Sequence, residues 1–100
     1  MRVTVVRSGG VAGMVLTAEV DDADLDAPAA AELTGLVDAC EFVDGAPSAV
    51  ADGFGYELSV ARDDGSVARA RFGQGAAPPG AGALVAWVLD GPHARRRMGR

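Results

Sequence analysis

Apolar and polar positions alternate at the start of the chain. Val3 and Val5 alternate with Arg2 and Thr4, and Met14, Leu16, Ala18 and Val20 then share one face against Val15, Thr17, Glu19 and Asp21. A period of two with one polar side predicts antiparallel strands with one wet face. Asp21 to Ala27 breaks the pattern with four aspartates. Asp26 is placed to cap a helix and Pro28 to sit in its first turn, where the missing N–H costs nothing. Glu32 also lies near the positive end of that helix. Leu33, Leu36, Val37 and Cys40 follow at i, i+3, i+4, i+7 spacing, an amphipathic helix of about 13 residues. Gly35 weakens it by about 1 kcal/mol relative to alanine. Phe42, just beyond it, is expected to seal the core edge.

Residues 44–53 read as a loop, broken by Gly45, Pro47, Ser48 and Gly53. Phe54, Tyr56, Leu58 and Val60 line one face of a third strand, with Glu57 and Ser59 opposite. Asp63-Asp64-Gly65-Ser66 is a hairpin turn signal. The returning strand, 67–72, sets Arg69 and Arg71 against Ala68, Ala70 and Phe72. Residues 73–82 form a Gly/Pro loop, 83–89 a short helix, and Gly91-Pro92 ends it. The order is β-β-α-β-β-α. The expected fold is α+β, a two-layer sandwich with a four-stranded antiparallel sheet and both helices on one face. Residues 1–91 make one domain, and 92–100 an Arg-rich flexible tail.

Between the first two strands lies Ser8-Gly9-Gly10-Val11-Ala12-Gly13. A tight hairpin needs only two residues. Six are used here, three of them glycine, and Val11 is the only sizeable apolar side chain. Two readings stand: a plain connecting loop, or a nearly all-backbone probe with one apolar tip for another molecule's cleft. Arg7, at its base, is either an anchor or a solvated strand end.

Composition narrows the function. The net charge is −5, although Arg95, Arg96, Arg97 and Arg100 crowd the last six residues. The acidic body argues against nucleic acid, which needs a basic face. Lysine, asparagine and isoleucine are absent, which points to a GC-rich genome. No signal peptide and no membrane-length apolar stretch is visible, so a cytoplasmic, non-membrane chain is expected. A single cysteine, Cys40, excludes an internal disulfide and reads as a small core residue. His93 is the only histidine and has no metal-ligand partner at zinc spacing. No Gly-x-Ser-x-Gly elbow surrounds Ser8, Ser48, Ser59 or Ser66. The glycines of the first loop lack the lysine and following helix of a phosphate loop. The aspartate cluster lacks the glycine and terminal glutamate of a calcium loop. No convergent acid, base, nucleophile or metal ligand suggests an enzyme, and no cofactor is expected.

Several blocks together resemble emfourin-like proteins, small inhibitors of thermolysin-like metallopeptidases such as protealysin. They are Arg7-Ser8-Gly9-Gly10-Val11-Ala12-Gly13 after the opening strand, Leu33-Thr34-Gly35-Leu36-Val37-Asp38-Ala39 followed by Phe42, Asp52-Gly53-Phe54-Gly55-Tyr56-Glu57-Leu58-Ser59-Val60, and Pro78-Pro79 before a Leu/Trp helix. The resemblance spans residues 2 to about 89 and leaves out the Arg-rich end. It implies a non-enzymatic α+β inhibitor, expected to be monomeric, that blocks a metallopeptidase cleft. The binding residues would be Arg7, Ser8, Gly9, Gly10, Val11, Ala12 and Gly13. The family often carries a bulky aromatic where this chain has Val11. The competing reading is a non-enzymatic binding or assembly module with no protease target, using the wet face with Thr17, Glu19, Arg69 and Arg71.

Overall fold

The structure, a computed structural model, describes residues 1–10, 13–48 and 53–99. Its elements are β1 (Arg2–Gly9), β2 (Met14–Asp21), a short 3-10 turn (Asp22–Asp24), α1 (Ala27–Asp38), β3 (Phe54–Ala61), β4 (Val67–Gly73), α2 (Ala81–Asp90) and β5 (Arg95–Gly99). The sheet is antiparallel with order β4-β3-β1-β2-β5. The fold is α+β, as expected, but the sheet has five strands, not four. The fifth comes from residues expected to trail free.

That strand forms because β2 offers an unpaired edge and Arg96 finds acceptors. Arg95 to Gly99 pair with Glu19 to Val15. Ala18 faces the core and Arg96 lies opposite it, so Arg96 points toward α2. Its Nη2 donates to the Leu89 carbonyl at 2.8 Å, to Val88 at 3.4 Å and closely to Gly91. A guanidinium at a helix C-terminus satisfies orphan carbonyls and complements the dipole.

The alternation seen in sequence decides the core. Val3, Val5, Ala18, Val20, Leu58, Val60, Ala70 and Phe72 are buried, one face of four paired strands. They form one cluster with Leu33 and Val37 of α1 and Leu84, Val85 and Val88 of α2. Among the described residues of the opposite sheet face only Gly73 is buried, at the end of β4 where the Pro47–Ser48 backbone lies against it.

The caps match the sequence signals. Asp26 Oδ1 accepts from Ala29 N–H at 2.9 Å, with Pro28 in the first turn. Asp21 caps the 3-10 turn through Ala23 N–H, and Asp22 receives the N-terminal amine, so each has a structural task. Helix α1 ends at Asp38, one residue short of the expected length, and α2 runs three residues longer than expected. Gly80 (φ 79°) starts α2 where a Cβ would collide with the Ala39 backbone. Cys40 therefore lies past the end of α1 and is half-buried, and Phe42 packs on the core. Trp87 Nε1 donates to Glu32 Oε2 at 2.9 Å, tying the two helices together.

Candidate functional site

The first loop is shorter than its sequence suggests. Ser8 and Gly9 are the last residues of β1, with Ser8 opposite Val15 and Gly9 opposite Met14. The connection is residues 10–13 alone. Gly13 N–H donates to the Gly10 carbonyl at 3.3 Å, joining the two ends of the connection. Its two central positions, Val11 and Ala12, lie outside the described residues. Gly9, Gly10 and Gly13 have φ of 94°, 76° and 62°. Positive φ at these three positions favours glycine, which adopts it without the Cβ penalty of other residues.

A buttress stands beside the turn. β3 pairs with β1 on the side away from β2, placing Gly9 opposite Phe54 and Ser8 opposite Gly55. A Cβ built on Gly10 would lie 2.7 Å from Phe54 Cε1, so only glycine lets the ring sit there unshifted. The Arg7 guanidinium lies 4.6 Å from the Phe54 ring centroid. Phe54 meets Tyr56 edge-on at 6.5 Å, and Tyr56 stacks on Phe72 at 5.5 Å. Arg7 thus lies against the protein's own Phe54 ring rather than standing clear of it.

Two further segments share this end of the sheet. Gly45 N–H donates to the Arg71 carbonyl at 2.7 Å and Gly73 N–H to the Ala46 carbonyl at 2.8 Å. Asp44 Oδ1 accepts from Arg71 N–H at 2.9 Å. The chain at 44–46 thus occupies the outer edge of β4, where unpaired groups would otherwise invite another strand. Gln74 clamps the start of β3: its N–H donates to the Phe54 carbonyl at 2.8 Å, and its Oε1 accepts from Phe54 N–H at 3.1 Å. Between the 44–48 segment and β3 runs an open groove of about 510 Å³, lined by residues that include Ser8, Asp44, Pro47, Tyr56, Glu57 and Arg71.

The sequence-predicted residues Arg7, Ser8, Gly9, Gly10 and Gly13 therefore come together at one sheet end. Phe54, Gln74 and the 44–46 segment support this end, a role their local sequence does not reveal. Their link to the turn passes through β1–β3 pairing between residues far apart in sequence, and no local spacing announces it.

The chemistry of this end is apolar and backbone-rich. Ser8 is exposed and His93 is remote, stacked on Trp87 at 4.9 Å. Burial pushes the Cys40 thiol up from its ordinary value, with the Glu41 carboxylate adding to the rise, so its nucleophilic thiolate is scarce. Such an end suits contact with another macromolecule.

These features define a small α+β domain that presents a glycine turn on a braced sheet end. The sequence model of the emfourin family matches residues 5–89, and the chain belongs to that family. Emfourins are an inhibitor family rather than an enzyme family. No curated protein and no solved structure matches the chain. No helix among the described residues is long and apolar enough to cross a membrane.

Proposed function

We propose that this chain inhibits a thermolysin-like zinc metallopeptidase by inserting the β1–β2 turn into the enzyme's substrate cleft. The observation that carries the reading is the mounting of the turn: left-handed Gly9 and Gly10, braced by Phe54, which is held in turn by Arg7 and Gln74. Ordering a loop before binding lowers the entropic cost of association. Val11 is the residue for the apolar pocket just after the scissile bond, and the backbone at Ser8 to Gly10 pairs with the cleft wall. A turn held with its carbonyls out of line for attack resists cleavage, since catalysis needs tight geometry.

A four-residue turn is too small alone, because stable interfaces bury roughly 800 Å² per partner. The 44–48 segment and the loop after β4 lie at the same sheet end and extend the contact. We read the two helices as one layer over the apolar sheet face. The test is titration of thermolysin with the purified chain after long preincubation. Stoichiometric loss of activity supports the reading. Full activity with the chain folded and uncleaved overturns it.

A further inference from the structure

The polar face of the sheet is organised in cross-strand rows that both end in arginine. One row runs Arg69, Ser59, Thr4, Glu19, Arg95, and the next runs Arg71, Glu57, Val6, Thr17, Arg97, each residue directly opposite the next. Residues directly opposite in antiparallel strands share a face. The centre of both rows is short and half-buried: Thr4, Val6, Thr17 and Ser59. The arginines stand exposed on the edge strands β4 and β5. Four strand spacings of about 4.8 Å separate the two rims by roughly 19 Å. The face has a short centre and two arginine rims, with Glu19 and Glu57 standing between them, paired with Arg2 at 3.5 Å and Arg71 at 2.7 Å, and a depression of about 280 Å³ lined by Val6, Glu57, Ser59, Arg69 and Arg71.

Charge on this face opposes charge on the rest of the chain. Arg2, Arg69, Arg71, Arg95 and Arg97 lie on it against Glu19, Asp21 and Glu57, a balance of +2 in a chain of net charge −5. Arg71 is paired with Glu57 at 2.7 Å, and Arg95 reaches Asp24 at 3.6 Å. Arg69 and Arg97, one on each rim, have no ion-pair or hydrogen-bond partner among the described residues. Among the described residues, these two diagonal cations are the face's arginines left open to external anions. The β5 rim lies beyond residues 5–89, which the family matches.

We infer that this face docks an acidic amphipathic helix of a partner protein. A helix with its side chains is about 10–12 Å across, so it fits between the rims along β1 with room for side chains to reach both. A stripe of small or aliphatic residues covers Thr4, Val6, Thr17 and Ser59, and carboxylates on both flanks meet Arg69 and Arg71 on one side and Arg95 and Arg97 on the other. A second copy of the chain does not fit face to face, because like-charged rims would meet. The depression on this face adjoins the groove beside the 44–48 segment, sharing Glu57 and Arg71 with it, while the β1–β2 turn residues Gly10 and Gly13 lie outside both.

The experiment is a titration of the isotopically labelled chain with a synthetic amphipathic peptide. The peptide carries an Ala/Leu stripe flanked by glutamates; a control replaces glutamate with lysine. The expected result is amide shifts centred on Thr4, Val6, Thr17 and Ser59, with affinity falling about fivefold or more from 50 to 300 mM salt as the exposed charges are screened. The double variant Arg69→Glu with Arg97→Glu weakens binding at least about tenfold by reversing both free cations. The single variants Arg69→Ala and Arg97→Ala each weaken it less, and retained core methyl signals establish that all remain folded. The proposal is overturned if the glutamate peptide leaves that face unshifted, if shifts fall on the turn instead, or if the lysine peptide binds equally well. It is also overturned if the face's shifts track self-association of the chain rather than peptide.

Discussion

Arg7 and Phe54 stack across two neighbouring strands, the guanidinium 4.6 Å from the ring centroid. Gly9, two residues on from Arg7, is directly opposite Phe54, and Gly10 leaves the space its ring fills. A charge near the end of β1 thereby fixes an aromatic at the start of β3, and the aromatic fixes the turn. Arg7→Ala is expected to lower stability by about 0.5–1 kcal/mol, the worth of an exposed cation–π contact. Inhibition should weaken by more than that loss of stability alone explains. Urea unfolding set beside inhibition titrations separates the two effects.

Gly10→Ala tests the other half of the same relationship. The substitution places a Cβ 2.7 Å from Phe54 Cε1 on a backbone at φ 76°. The left-handed conformation alone costs a non-glycine residue roughly 1–2 kcal/mol. The expected outcome is a stability loss of about that size, with the Phe54 ring signals displaced in the proton spectrum. Gly13→Ala, with open space around its Cβ, carries only the conformational cost and leaves Phe54 undisturbed.

Arg96 is expected to hold β5 in the sheet. Its guanidinium reaches carbonyls of Val88, Leu89 and Gly91 at the end of α2. Arg96→Ala leaves those carbonyls to water and removes a cation from the helix C-terminus, at a cost of about 1–2 kcal/mol. Amide exchange of β5 should accelerate far more than that of β1, which lies between two strands. Equal acceleration throughout the sheet would show that Arg96 does not act locally.

The first two hairpin strands, α1 and the β3–β4 hairpin were legible because each carries its own periodicity or turn chemistry. Val3 and Val5 alternate, Leu33 and Val37 recur at helical spacing, and Gly65 supplies the left-handed turn residue at φ 87°. β5 was not legible. Arg95-Arg96-Arg97-Met98-Gly99 has no apolar alternation; its strand state depends on the free edge of β2 and on acceptors at the end of α2. The candidate turn was legible from its glycines, but not its length, since Ser8 and Gly9 are strand by pairing with β3 as well as β2. Its brace was hidden for the same reason, as Phe54 reaches Gly10 only through sheet order.

The N-terminal amine makes stability depend on alkaline pH. Met1 N lies 2.7 Å from Asp63 Oδ1 and 2.9 Å from Asp22 Oδ1. The hydrogen bond it donates to Asp63, then that to Asp22, raises its pKa from 8.0 to about 10. The folded chain holds this proton more tightly than the unfolded chain, so the contribution is complete below pH 8 and disappears as pH rises through 10. The urea midpoint should fall over that window. Asp63→Asn should flatten the fall and lower the midpoint at pH 7 only slightly, because Asp63 is exposed.

Leu58 is 1% exposed in β3, and Leu33 of α1 is fully buried in the same cluster. Leu58→Ala and Leu33→Ala should each cost about 2–5 kcal/mol through lost burial and the cavity left behind. In a domain of this size that removes much of the margin of stability. Both should lower inhibition only through the fraction folded, unlike Arg7→Ala, and thermal unfolding with and without protease distinguishes the two classes.

The central claim is that the β1–β2 turn enters a metallopeptidase cleft, and Val11→Asp tests it most directly. The measurement is the residual activity of thermolysin, and of a thermolysin-like peptidase from the same organism, titrated with the wild-type chain and with Val11→Asp. The account predicts stoichiometric inhibition by the wild type and at least about a hundredfold weaker inhibition by the variant, roughly 2.7 kcal/mol for an apolar anchor replaced by a charge. The variant's unfolding midpoint should be unchanged. Equal inhibition by both chains, with the variant folded, would contradict the account.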